Sequence, residues 1–442
     1  MIAGVSFALA GLLGGILLWL FASGADRIPP LPGGQAPQQA ELERLHAIRD
    51  RMAAIRELDV ASKVQEGYVS RDNFSEYVET FYGALNAAER AQFQTLTIMM
   101  QMLRMIGPED DLLEIGSQSD SVGIAGFYDP YQKRLVVVAD GLTGGANEEA
   151  TFAHEYTHAL QDQRFNLVQF LTSDAKDEGL EYDRTLSCVI EGDASVSALK
   201  YLEDVYGDNW IEVIIADLSS FEEELRSVVE LQSSVPPAIL RYTLFNYNEC
   251  ASFALEVWEE GGWDAVDALY ETPPSTTEQI LHPERYFNGE QALRVEMSNL
   301  RTALGLGWRL ADTAPFGEFD VFNYLSSTGI QPFTARSAAD GWGGGSMKLY
   351  TLGGGEQREV LLHIALVWDT ESQLDQFRAA FEIALNRLAY ENRSSDDGIW
   401  LWGGGGEHGR GIWDDDARRV DLIYATNEAA VERARIELSR TR

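Results

Sequence analysis

The sequence predicts an α+β protein: a predominantly helical domain with a small β-hairpin, then a smaller α+β C-terminal domain, behind a single N-terminal hydrophobic helix. Three observations carry this. Apolar residues recur at helical spacing over most of residues 41–304. One stretch, Ser121–Val138, turns β-rich around Tyr128-Asp129-Pro130. Beyond Ala311–Pro315, glycine runs separate short apolar runs of strand length.

The elements follow in order. Residues Ile2–Ala22 carry no charge and are nearly all apolar, and 21 helical residues span about 31 Å, one bilayer core. Residues 1–25 read as a membrane anchor, with the body outside the cytoplasm, or as a secretory signal cut after Ser23-Gly24-Ala25 and a secreted body. No cysteine follows the segment, which excludes a lipoprotein anchor. Residues 26–40 form a Pro/Gly/Gln-rich linker. Helices are expected over Glu41–Leu58, Arg71–Leu85 and Ala87–Met105, a hairpin to Val138, then helices over Glu148–Phe165 and Arg184–Tyr206. The domain over residues 41–310 gives way to a second over 311–442. There, strands are expected at Lys348–Leu352, Val360–Trp368 and Val420–Tyr424, with helices at Glu371–Tyr390 and Asn427–Ser439. The runs Gly341–Gly345 and Gly403–Gly406 read as loops, and their Trp342, Trp400 and Trp402 as packing anchors or a ligand-binding surface.

Charge excludes one class of partner. Against 70 acidic residues stand 34 basic ones, only five of them Lys, for a net charge of −36. No basic footprint for nucleic acid exists. Cys188 and Cys250 make neither a disulfide scaffold nor a Cys-type metal site, and Cys188 reads as a small core residue.

The chemistry concentrates in His154-Glu155-Tyr156-Thr157-His158. On a helix, positions i and i+4 share a face, so two imidazoles can bind one metal ion while the intervening Glu reaches a water on it. A third ligand is needed, and Glu191 in Ile190-Glu191-Gly192-Asp193-Ala194 supplies a candidate on the next helix. The small Gly192 and Ala194 beside it permit close helix approach.

His154–His158 with Glu191 resembles the gluzincin group of zinc metallopeptidases. More narrowly, residues 154–163 (HEYTHALQDQ), 190–194 (IEGDA) and 275–286 (STTEQILHPERY) resemble a set of uncharacterised bacterial envelope proteins. The resemblance, over about residues 70–290, implies a zincin-like fold. It implies that His154, His158 and Glu191 bind Zn²⁺, that Glu155 is the catalytic base, and that an edge strand before the active-site helix aligns a peptide or protein substrate. The hairpin Gly123–Val138 sits where that strand belongs. Many gluzincins carry an Asp four residues after the ligand Glu; here Ser195 stands there, and Asp162 is a substitute for orienting a ligand histidine. His282 could hold a developing oxyanion, with Tyr242, Tyr247 and Tyr286 as rivals, and Arg241 could hold a substrate carboxylate. The expected activity is hydrolysis of peptide bonds; the alternative is a non-catalytic envelope interaction protein on the same scaffold.

Overall fold

The structure is a computed structural model that describes residues 39–123, 126–138, 145–172, 181–219, 235–355, 358–388, 392–396, 399–404 and 406–441. The hydrophobic leader, nearly all of the linker, and the acidic loop after residue 172 lie outside them. Among the described residues no helix is long and apolar enough to cross a membrane.

The chain is α+β. The helical region comprises α1 (Gln39–Arg56), β1 (Gln65–Val69), α2 (Arg71–Ala84), α3 (Ala87–Met102), α4 (Leu112–Gly123), β2 (Gly126–Asp129), β3 (Arg134–Val138), α5 (Ala146–Phe165), α6 (Leu167–Leu171), α7 (Tyr182–Tyr206), α8 (Trp210–Ser219), α9 (Pro237–Ala268), α10 (Thr277–Leu281), α11 (Pro283–Phe287) and α12 (Arg301–Leu304). After it come β4 (Arg309–Pro315), α13 (Glu318–Ser327), α14 (Pro332–Ala339), β5 (Trp342–Leu352), β6 (Glu359–Trp368), α15 (Glu371–Arg387), β7 (Asn392–Asp396), β8 (Ile399–Gly404), β9 (Glu407–Asp414), β10 (Arg419–Ala425) and α16 (Glu428–Thr441).

Helix α7 is the centre of the helical region, packed on α9 along one side and on α5 along the other, with α1 laid across α5 and α7. It is buried nearly all round from Thr185 to Ala198. Helix α9 breaks at Gly261–Gly262, where Gly262 takes a φ of 66° that side-chain-bearing residues avoid. A three-stranded sheet of order β1-β3-β2 covers this bundle, β1 parallel and β2 antiparallel to β3. β2 is therefore an edge, and it lies against α5. One expectation changes here, and one element is new. The β-rich run begins at Gly126, because Ser121–Gly123 end a helix, and β1 is a strand that its sequence did not announce. Gln65–Val69 is short, and its partner β3 lies 69 residues on (Gln65 opposite Arg134), so local pattern carries little of its pairing.

The C-terminal region is an antiparallel seven-stranded sheet of order β4-β5-β6-β10-β9-β8-β7. Alternate residues serve opposite faces: Leu362, Ile364 and Leu422 join the core shared with the helical region, whereas Leu361, Ile423 and Ala425 pack under α16. The main core thus runs without interruption from Val69 to Tyr424. Glycines 343–345 lie inside β5 rather than in a loop. A Cβ on Gly344 would stand 2.3 Å from Leu293 O and one on Gly345 2.2 Å from Phe316 O, so neighbouring backbone occupies the side-chain space. Trp342 and Trp402 are core residues, 0% and 2% exposed, and Trp400 packs partly buried against the same core. That ends the reading of those runs as a ligand-binding surface.

Candidate metal centre

Helix α5 opens with Glu148 and Glu149 in its first turn, where carboxylates favour the helix dipole, and ends at Asn166 in the left-handed conformation. Glu148 pairs with Arg44 of α1 at 3.0 Å, and Glu149 accepts hydrogen bonds from Tyr201 and Tyr206 of α7. These contacts fix the helix about its axis. From Ala150 to Asp162 every residue is buried, which explains the uncharged flanks of the histidine pair.

Glu191 of α7 meets that pair. His154 Nε2 lies 3.2 Å from Glu191 Oε2 and 3.2 Å from His158 Nε2, and the second Glu191 oxygen lies 3.8 Å from His158 Nε2. All three residues are buried, and their ligand atoms fall within 4.8 Å of one another. Burial works against a proton on His154, but the hydrogen bond and charge of Glu191 outweigh it and raise its pKa. Burial works against ionised Glu191 too; the neighbouring imidazoles outweigh it and lower its pKa.

The arrangement suits a divalent ion. At zinc–ligand distances of about 2.0–2.2 Å, tetrahedral donors stand roughly 3.3–3.5 Å apart, close to the spacing of these three. The two Nε2 atoms face one another, so they cannot both carry protons along that line. His158 Nδ1 donates to Gln161 Oε1 at 2.9 Å, and Gln161 Nε2 donates to Ile190 O at 3.0 Å. This leaves the Nε2 lone pair of His158 turned toward Glu191. The orienting residue is thus Gln161. Asp162 instead accepts from Tyr128 Oη, Lys133 Nζ and Leu167 N, tying the hairpin to α5.

Glu155 is 7% exposed and lies under the edge strand. The Tyr128 backbone N–H donates to its carboxylate, and burial raises its pKa against the pull of both imidazoles. A Cβ on Gly126 would touch Glu155 Cγ at 3.3 Å, so β2 passes directly over the proposed base.

The oxyanion candidates separate. His282 sits at the start of α11 and its Nε2 is 3.0 Å from Glu318 Oε1. Tyr242 donates to Asp320 and Tyr286 to Thr272 O, and Arg241 is held by Asn323 and Ser327. Of these residues Tyr247 is the one whose ring packs on the histidine pair, 6.3 Å from the His154 ring.

Two features escaped sequence reasoning. Cys188 and Cys250 form a disulfide, Cα to Cα 5.1 Å, joining α7 to α9 beside Glu191. Cys188 is fully buried as expected, but it is bonded. Gly192 serves this same contact: its Cβ would stand 2.5 Å from Cys250 O, so it admits α9 rather than α5. The second is Arg56, fully buried, which donates to Asp193 at 2.7 Å and lies 4.6 Å from the Trp263 ring centroid. Asp193 also accepts from Tyr270 at 2.9 Å. Two residues from a metal-ligand candidate, Asp193 thus locks α7 to α1 and to the turn after α9.

No curated protein and no solved structure matches this chain. A family model described as "Domain of unknown function (DUF8575)" matches residues 307–435, a span that holds the seven-stranded sheet and leaves the histidine pair and Glu191 outside it.

Proposed function

We propose that the protein is a membrane-anchored, extracytoplasmic zinc-dependent peptidase on a zincin-like helical domain, with the C-terminal sheet as an appendage. The convergence of His154, His158 and Glu191 from two helices onto one buried point carries the reading. A zinc ion held there would lower the pKa of a water and polarise a carbonyl. In this reading Glu155, buried beside it and held by the Tyr128 N–H, takes a proton at its carboxylate and returns it to the leaving amine. An extended peptide would pair with edge strand β2 alongside Glu155 through backbone groups other than the Tyr128 N–H, which Glu155 holds. Tyr247 replaces His282 as the favoured oxyanion donor, since it packs on His154 while His282 is engaged with Glu318. The Cys188–Cys250 disulfide supports an oxidising compartment, in keeping with the apolar leader.

The test is zinc per chain by elemental analysis, beside a peptide-library digest, for the parent, His158→Ala and Glu155→Gln. The parent should hold about one zinc and cleave peptides. His158→Ala should lose both. Glu155→Gln should keep its zinc and lose about 10²–10⁴-fold in rate. A folded parent that takes up no zinc overturns the reading. A zinc-bearing parent that cleaves nothing favours the non-catalytic alternative.

A further inference from the structure

A cavity of about 560 Å³ lies where α3, α7, α9 and β4 meet. That volume falls in the range of about 300–1,000 Å³ that receives a drug-sized ligand, and it exceeds one side chain. Its two walls differ. One is apolar and soft: Phe93, Leu96, Met99, Met100, Leu103 and Met105. Methionine-rich walls adapt to apolar groups of varied shape. The other wall carries Glu181, Arg184, Tyr242, Asp312 and Asp320.

None of the metal-centre residues lines the cavity, but two helices run from one to the other. On α7 the lining residues Arg184 and Ser187 continue at helical spacing to Glu191, one turn or about 6 Å beyond Ser187. On α9 the lining residues Ile239, Tyr242, Thr243 and Asn246 form one stripe, and Tyr247, next in sequence, packs on His154.

Its charge selects the occupant. Arg184 is already committed, donating to Asp320 at 2.9 Å and to Glu181 at 3.4 Å, with its guanidinium 4.7 Å from the Tyr242 ring centroid. Burial pushes the Glu181 carboxyl up to about 7 and Thr277 holds both its oxygens, while Asp320 is paired with Arg184, so Asp312 is the carboxylate of this wall with no ion pair among the described residues. An anionic ligand such as a fatty acid would meet repulsion from Asp312 and find the cation taken by Asp320. A group with an apolar body and a positive neighbour meets complementary walls.

We infer that this cavity binds the substrate beside the scissile bond, and that the substrate class is peptides pairing a bulky apolar residue (Met, Leu or Phe) with an adjacent Lys or Arg. The inference rests on the peptidase reading and names the substrates of that same site.

The test separates binding from chemistry. The full chain with Glu155→Gln, loaded with zinc, is titrated with three labelled peptides matched in length, and anisotropy reports the affinity. One is Leu-Lys-rich, one Leu-Glu-rich and one Ser-Lys-rich. The Leu-Lys peptide should bind at least tenfold tighter than either other. Leu96, 42% exposed at the cavity wall, tolerates a charge without unfolding the chain, so adding Leu96→Glu should erase the preference for Leu over Ser. Adding Asp312→Lys should invert the preference between Leu-Lys and Leu-Glu. Equal affinities, or preferences that neither substitution moves, overturn the inference. If the parent cleaves peptides without this selectivity, the cavity assignment fails and the peptidase reading stands. If the preferences appear but the parent cleaves nothing, the binding site stands and the peptidase reading fails.

Discussion

Among the described residues, a buried histidine–carboxylate assembly in each region invites comparison, and the two are built differently. In the C-terminal sheet His363 Nε2 lies 2.7 Å from Asp421 Oδ1, and Arg419 donates to both oxygens of that carboxylate at 2.9 Å. One anion, one guanidinium and one imidazole meet at the carboxylate, while His363 Nδ1 is buried without a hydrogen-bond partner among the described residues. Burial alone would raise the Asp421 pKa, but the His363 and Arg419 hydrogen bonds outweigh it and hold the group far below the usual carboxylate range. Among the helices, by contrast, a pair of imidazoles and one carboxylate meet with His154 Nε2 at 3.2 Å from both partners, and Gln161 fixes the outer nitrogen of His158. The same residue types serve folding where they close on each other, and are arranged as an ion site would need where lone pairs converge.

Breaking the closed set should have the largest effect on stability. Asp421→Ala strands a buried imidazole and a partly buried guanidinium and should cost about 3 kcal/mol in denaturant unfolding, with zinc content unchanged. A variant that lost its zinc as well would end the distinction between the two assemblies. Stability from this carboxylate is present above its ordinary pKa of 3.8 and falls away as the pH drops below that value.

The disulfide comes next. Replacing Cys188 and Cys250 together by Ala should cost about 2–4 kcal/mol. Because the bond sits within one turn of Glu191, zinc should also be lost to a competing chelator at lower concentration than in the parent. Cys188 and Cys250 lie outside the Asp421 set, so no change in the pH profile below 4 is expected.

Gln161→Leu sharpens the comparison from the metal side. It removes the acceptor that orients His158, and zinc affinity should fall about 10–100-fold in chelator competition. The zinc-stripped chain should also lose about 1–3 kcal/mol, because His158 Nδ1 and Ile190 O lose this partner. A loss of stability without loss of affinity would make Gln161 a core residue only.

The smallest effect is a pH slope. Asp120 is fully buried and accepts from Tyr82 Oη at 2.7 Å, and burial pushes its carboxyl up to about 8. The folded state therefore holds a proton that the unfolded chain has released above about pH 4, so stability declines as pH rises from about 4 to 8. Asp120→Asn removes that decline. Relative to the parent it should gain about 1–3 kcal/mol at pH 9 and hardly differ at pH 4, read from melting curves.

Much of the candidate site was legible before any coordinates. His154, Glu155 and His158 sit four residues apart or fewer, so one helix settles their relation, and Glu191 follows from the need for a third donor on the next helix. The orienting Gln161 was hidden for a reason: the choice between Gln161 and Asp162 depends on which way α5 turns, and the hairpin claims Asp162 through Tyr128 and Lys133. Glycine runs read as loops became a strand, because nothing local announces that Leu293 and Phe316 backbone fill the space beside Gly344 and Gly345.

The sequence by itself determined what periodicity and spacing can encode: the helices α1, α2, α3, α5 and α7, the β2–β3 hairpin, the central strands of the C-terminal sheet, and the histidine pair with Glu191 on the following long helix. Those are relations within one element or between near neighbours in the chain. Only the tertiary structure decided that Cys188 meets Cys250, that Arg56 is buried on Asp193, that Tyr247 rather than His282 packs on His154, and that β1 pairs with β3. These contacts join residues 62 to 137 positions apart, and no local pattern reaches so far. Two of the four, Cys188–Cys250 and Arg56–Asp193, depend on how α7 closes on its neighbours. Gly192 permits the approach of α9, and its consequence is three-dimensional.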